Sequence, residues 1–222
     1  MPSSTVEDYI KQLYLEQQRD PDELVPMGQL AEAMGVVPGT VTTMMKTLAD
    51  SGLVDYEPRT GVRLNRGGEQ LALHVLRRHR LVELFLVKTL GLNWSEVHQE
   101  AEELEHAISD KVLERIDALL GHPQTDPHGD PIPSAHGQVA SPDGRSLLQC
   151  ETGRPLRVTR VVDQDPGFLQ FAECRGMVPG ALLTVVSRDD RADAVVVKGD
   201  GRGTHTLGTA AAAKILVARP GR

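Results

Sequence analysis

Between Leu30 and Val54 the chain reads LAEAMGVVPGTVTTMMKTLADSGLV, and this stretch leaves few alternatives for how it can fold. A short helix from about Met27 to Met34 is ended by Gly35, which takes a left-handed conformation without steric cost. The turn VVPG follows. From Thr40 onward, Val41, Met44, Met45 and Leu48 recur on one apolar face of another helix, which Gly52 closes. Two helices joined by so tight a turn form a helix-turn-helix. After it, Leu53–Tyr56 and Val62–Leu64 are short extended runs flanking Pro58, Arg59, Thr60 and Gly61, a hairpin that reads as a wing. Before it, Ser4 and Glu7 are spaced as a capping box, and Val6, Tyr9, Ile10 and Leu13 predict a helix to about Gln18.

Downstream, Asn65 is placed to cap a long helix reaching Leu90 and ended by Gly91. A second long helix is expected from near Ser95 to Gly121; two such amphipathic helices suggest a packing or dimer module. His122 to about Gly144 is rich in Pro, Gly, Asp and Ser and reads as an irregular linker with some packed turns. After Arg154, short apolar runs (Leu156–Val162, Leu182–Val186, Ala194–Val197 and Lys214–Ala218) separated by Gly and Asp clusters predict a small β-barrel. The fold class is therefore mainly α with small β parts. The expected modules are 1–73, 74–144 with the linker, and 145–222, since 222 residues suit several small domains.

No run of about 18 apolar residues offers a membrane span. The polar, acidic MPSSTVEDYI is no signal peptide, so a cytoplasmic location is expected. Cys150 and Cys174 form no C-x-x-C pair, which argues against a disulfide framework or a structural zinc knuckle; any bound metal needs other ligands. The formal charge of −7 opposes binding to phosphate, and the acidity is concentrated toward the N-terminus, where residues 1–73 carry 6 basic and 11 acidic side chains.

In HQEAEELEH, His98, Glu102, Glu105 and His106 fall at roughly 0, 40, −20 and 80 degrees around a helix that turns about 100 degrees per residue. One stripe thus holds two imidazoles and two carboxylates, bordering the apolar Ala101, Leu104, Ile108 and Val112. On the preceding helix, His79 and Glu83 share a face at i, i+4 spacing. Either cluster alone reads more simply as a solvated surface. Two neighbouring helices that both carry His and Glu match the way metal sites are built between helices, and carboxylates gathered without a cation would repel.

In order and spacing, VEDYIKQLY, the helix-turn-helix segment, RRHRLVELFL, EVHQEAEELEHAISDKV and DPHGDPIP together resemble the diphtheria toxin repressor and manganese transport regulator family over nearly the whole chain. The resemblance implies an N-terminal winged helix-turn-helix, a helical dimerisation and metal-binding module and a C-terminal SH3-like (FeoA-like) domain. It implies an effector site of Asp8, Glu102, Glu105 and His106, and a second site of His79, Glu83 and His98, with Asp165 or Gln164 as a further ligand. The iron-sensing branch usually has methionine and cysteine at the positions of Asp8 and Glu102. Oxygen ligands there favour Mn²⁺ first and Fe²⁺ second, at two sites per protomer. Manganese-sensing relatives have a glutamate ligand at the position of Lys11, so two separated sites are expected here in place of a closely spaced pair.

By the same resemblance the chain is expected to be a homodimeric repressor of metal-uptake genes, reading a palindromic operator in double-stranded DNA without membrane attachment. Thr40, Thr42, Thr43 and Lys46 on the recognition helix, with Arg59, Arg63 and Arg66 around the wing, would face the DNA. Two divalent ions would change the formal −7 to −3. The rival readings are a winged-helix regulator of a non-metal signal, a carboxylate-bridged metallohydrolase and a metal storage or transfer protein. No enzyme is expected, since no separate nucleophile or phosphate cradle is visible, and both the hydrolase and the storage protein would leave the DNA-reading module unused.

Overall fold

The computed structural model describes residues 3–141, 144–199 and 203–220. The chain divides into two compact units, Met1–Arg78 with Pro133–Gln138, and His79–Ile132 with Val139–Arg222.

In the first unit, α1 (Ser4–Gln17), α2 (Met27–Met34) and α3 (Pro38–Asp50) are followed by an antiparallel hairpin of β1 (Val54–Glu57) and β2 (Gly61–Leu64). Ile10, Leu13, Leu30, Val41, Met45, Leu48 and Val62 are fully buried in its core. Each such side chain contributes about 1.5–3 kcal/mol on leaving water. Two helix starts differ from the sequence expectation. Ser3, not Ser4, caps α1, its hydroxyl accepting from Val6 N at 3.4 Å. The helix-turn-helix's second helix begins at Pro38, two residues before Thr40, because proline has no N–H to leave unpaired in a first turn. Gly35 ends α2 at φ 65°. Glu16 is buried on α1 and accepts from Gln12 at 3.0 Å, Arg19 at 2.8 Å and Gln29 of α2 at 2.7 Å. This charged hub fastens the two helices together.

Helix α4 (Arg66–Leu90) opens where Asn65 Oδ1 accepts from Gly67 N at 2.9 Å and Gly68 N at 3.1 Å, and it runs from the first unit into the second. The expected second long helix is two helices, α5 (Val97–Glu105) and α6 (Asp110–Leu119). The break is chemical: Ser109 accepts from Val112 N and starts a new helix with Asp110 in its first turn.

The C-terminal strands β3 (Arg145–Ser146), β4 (Pro155–Val161), β5 (Leu182–Asp189), β6 (Ala194–Gly199), β7 (Gly203–Gly208) and β8 (Ile215–Ala218) form one antiparallel sheet in the order β3-β8-β4-β5-β6-β7. Helices α7 (Pro166–Cys174) and α8 (Thr209–Ala213) join them. Leu147, Val161, Val185, Val195, Val197 and Ile215 are fully buried there. Strand β7 was not anticipated: it lies at a sheet edge and only Leu207 of GTHTLG is buried, so it shows no apolar run.

The segment expected to be an irregular linker is instead partly interior, since Asp126, His128, Asp130 and Ile132 are buried; residues 142–143, near its end, lie outside the described residues. Gly129 makes this possible. It stands at φ 89°, and a Cβ there would lie 2.0 Å from the Thr159 carbonyl oxygen of β4. Only glycine tolerates both that conformation and that approach.

Gly129→Ala is expected to lower the thermal midpoint of the full chain sharply, by more than Gly→Ala in an open turn such as Gly153; differential scanning calorimetry of the two variants checks this. Glu16→Ala should destabilise the first unit by about 1–3 kcal/mol, because it leaves two half-buried amide donors without their acceptor, and the shift of the urea midpoint measures it.

Candidate metal centre

Helix α4 carries His79 and Glu83 one turn apart and buried, and α5 brings His98, Glu102 and Glu105 to meet them. His79 Nε2 lies 3.0 Å from Glu83 Oε1 and 3.1 Å from His98 Nδ1, and His98 Nδ1 lies 3.3 Å from the same Glu83 oxygen. On its other edge, His79 Nδ1 lies 2.6 Å from Glu105 Oε2 and 3.8 Å from Glu102 Oε1. His98 Nε2 is 3.6 Å from Glu102 Oε1, and His106 Nε2 is 3.4 Å from Glu105 Oε1. The residues that sequence reasoning divided between two sites thus form one connected cluster, with His79 between Glu83 and Glu105.

The cluster suits a divalent cation. Donor atoms of His79, Glu83 and His98 lie within 4.8 Å of one another, as do those of His79, Glu102 and Glu105. A small ion occupies such a space. The Glu83 side chain is 1% exposed whereas that of His98 is 55% exposed, so the group is anchored inside and open at one edge. Burial alone would raise the Glu83 carboxyl, but the facing His79, with hydrogen bonds from His79 and His98, holds it well below the usual carboxylate range. The 2.6 Å contact with Glu105 orients the His79 ring, with Nδ1–H to the carboxylate and Nε2 toward Glu83 and His98, the arrangement that prepares a histidine as a ligand.

Of the other residues singled out from sequence, Asp8 lies on α1 in the first unit. Asp165 caps α7, its Oδ1 accepting from Phe168 N at 3.0 Å, and belongs to none of the ligand groups among the described residues. Gln164 donates to Asp130 at 2.9 Å. On α3, Thr40, Thr43 and Lys46 are exposed and Thr42 is half-buried. The hydroxyls of Thr42 and Thr43 donate back to Pro38 O at 2.9 Å and Gly39 O at 3.0 Å. They therefore present methyls and acceptor lone pairs outward. Arg59, at the wing tip with φ 69°, is exposed, while Arg63 donates to the Asp22 carbonyl at 3.1 Å.

Sequence reasoning missed a buried polar group behind Glu83. Asp126 Oδ1 accepts from the backbone N–H of His128 at 2.8 Å and of Asp130 at 2.9 Å. His128 Nε2 donates to Trp94 O at 2.8 Å, and the two rings stack at 5.5 Å. Arg80 Nε is 3.7 Å from Asp126 and Arg160 is 2.5 Å from Asp130. Burial, then the Asp130 and Glu83 carboxylates, push Asp126 well above the usual range, with Arg80 opposing. The signal was DPHGDPIP, whose Pro and Gly content read as linker although it sets a histidine between two aspartates.

Residues 1–62 match the model of the iron dependent repressor N-terminal DNA binding domain, 66–134 that of the iron dependent repressor metal binding and dimerisation domain, and 145–219 that of the FeoA domain. The chain is 30% identical to the iron-dependent repressor IdeR of Mycobacterium leprae, covering 82% of this chain and 83% of that one. It is 32% identical to the diphtheria toxin repressor of Corynebacterium glutamicum, with 91% of each covered. Among solved structures, a manganese-dependent transcriptional repressor in complex with manganese superimposes at TM-score 0.86 with 42% identity over 97% of this chain and 100% of that chain. The manganese regulator SloR does so at 0.75 with 32% identity over 99% and 100%. In the described residues no helix is long and apolar enough to cross a membrane. Sequence, fold and relatives agree that the chain belongs to the diphtheria toxin repressor and manganese regulator family, whose members are metal-dependent, DNA-binding transcriptional repressors and not enzymes.

Proposed function

We propose that this chain is a cytoplasmic repressor of metal-uptake genes that reads a palindromic operator as a homodimer when Mn²⁺, or secondarily Fe²⁺, is available. The observation that carries the reading is the convergence of His79, Glu83 and His98 on α4 and α5, with Glu102 and Glu105 at its edge. When bound, a divalent ion supplies the positive charge that these gathered carboxylates otherwise lack. His79, Glu83 and His98 would hold one ion. Glu102, Glu105 and His106, with Asp8 on the strength of the sequence resemblance alone, would hold the other. Nitrogen and carboxylate oxygen donors, with no thiolate, favour Mn²⁺.

Functionally we divide the chain at 1–73, 74–144 and 145–222. Helix α3 would enter the major groove, where the outward acceptors of Thr42 and Thr43 suit base amino groups and their methyls suit thymine. Lys46 and Arg59 would contact phosphate. The exposed Leu104, Val112 and Leu119 supply apolar surface on α5 and α6 for a second copy.

The test is selection of genomic fragments by the full chain with EDTA and then with Mn²⁺, Fe²⁺ or Zn²⁺ under controlled oxygen. Enrichment of one palindrome only with metal is expected; equal enrichment with EDTA would sink the metal switch. On the selected fragment, His79→Ala should weaken Mn²⁺-dependent binding by about tenfold or more, roughly 1.4 kcal/mol, as read by fluorescence anisotropy. Arg59→Ala should weaken selected and unrelated DNA alike and reduce the salt slope by about 1.

A further inference from the structure

We propose that Arg145, Arg154 and Arg219 form a binding site for a small phosphate monoester in the C-terminal FeoA-like module, at a place that shares no residue with the metal cluster. Residues 145–222 carry 12 basic and 8 acidic side chains, whereas residues 1–144 carry 12 and 23, so this module holds a positive excess within a chain of net charge −7. Sheet register gathers part of that excess. Arg145 of β3 stands opposite Val217 of β8, which in turn stands opposite Val158 of β4. Arg219 follows Val217 by two residues, the repeat of one strand face. Arg154 leads directly into β4. Neighbouring strands lie about 4.8 Å apart. Guanidiniums from three adjacent segments thus border one hollow of about 600 Å³, which lies wholly within the second unit.

Charge and chemistry select the ligand class. Glu151 also borders the hollow and pairs with Arg154 at 2.9 Å, and among the described residues neither Arg145 nor Arg219 has a carboxylate partner. Three guanidiniums less one carboxylate leave two positive charges, and a phosphate monoester carries about −1.5 to −2 at neutral pH. A carboxylate ligand would offset only one of them. The planar fork of arginine donates paired N–H groups to phosphate oxygens. Leu156, Val217 and the buried Cys150 give the hollow an apolar floor. Burial raises the Cys150 thiol above its ordinary value, with Arg188 and Arg145 opposing, so the thiol adds no competing anion. The Glu151 carboxylate only accepts hydrogen bonds, which suits hydroxyls on the esterified group. A volume of this order encloses a nucleotide or a sugar phosphate, whereas a DNA duplex presents its phosphates along an extended surface.

The test is isothermal titration calorimetry of the full chain at low salt, freed of metal on a chelating resin so that the outcome is independent of the metal reading. Adenosine 5′-monophosphate and ribose 5-phosphate are titrated separately. At least one should bind once per chain with a dissociation constant below about 1 mM, and the tighter of the two tells a nucleotide from a sugar phosphate. Inorganic phosphate should bind about tenfold more weakly, roughly 1.4 kcal/mol, and adenosine should not bind. Arg145→Ala and Arg219→Ala should each weaken the ester by about tenfold or more, and Arg219→Lys should not restore it, because an ammonium lacks the fork. Arg191→Ala removes an exposed arginine elsewhere in the module and should leave binding unchanged. All these arginines are exposed, so the thermal midpoints of the variants should match that of the unaltered protein. Failure of both esters to bind at millimolar concentration overturns the site. So does an equal loss in Arg191→Ala, or inorganic phosphate binding as tightly as the esters. Loss of affinity for the selected DNA fragment in Arg145→Ala and Arg219→Ala, with no ester bound by the unaltered protein, assigns the arginines to DNA and overturns the proposal.

Discussion

The second unit is organised around a carboxylate that water cannot reach. Glu83 has been taken out of solvent on α4, and an isolated ion in that position would be prohibitively unstable. Its environment is arranged accordingly. Imidazoles from α4 and α5 address one oxygen and the imidazole of the 126–132 segment faces the other. Apolar packing of Val82 and Leu86 on Val97 and Ala101 holds α4 against α5, and the polar groups around Glu83 complement its charge at that contact.

The 126–132 segment joins these groups because its backbone comes against β4 at Gly129. Asp126 then folds the chain back by accepting from two backbone N–H groups, and the Trp94 carbonyl holds the His128 ring in one orientation. Arg80 and Arg160 balance Asp130 and part of the charge of Asp126. A run of Pro, Gly and Asp, the usual composition of an exposed connection, becomes the inner wall of the site because its polar groups find partners inside the protein.

The DNA-reading unit depends on the same principle at lower density. Glu16 joins α1 to α2, and it is satisfied by three donors. Apolar Val41, Met45 and Leu48 hold α3 in place and leave its threonines and Lys46 outward. Because the hydroxyl protons of Thr42 and Thr43 go to their own helix, these two residues offer methyls and acceptors beside the exposed ammonium of Lys46. In a chain of formal charge −7, such a surface depends on Lys46 and the wing arginines for its attraction to phosphate.

The sequence by itself determined the local elements and the ligand stripes. Helical periodicity, glycine stops and the Asn65 cap are short-range effects, and i, i+4 spacing alone puts His79 beside Glu83 and His98 beside Glu102. The resemblance of ordered motifs supplied the family. Short-range signals also misled where two starts competed: Ser3 replaced Ser4 as a cap, and Ser109 divided what periodicity read as one helix. Only the tertiary structure decided which stripes meet, joining His79 to Glu105 and turning Glu83 toward two histidine-bearing neighbours at once. It alone brought Asp126 and His128 inside, since whether a polar loop is solvated or buried depends on partners far away in the chain, here Arg80, Trp94 and the Thr159 carbonyl. Spacing along a chain specifies a helix face, but the partner of that face is set by packing between segments that the spacing does not contain.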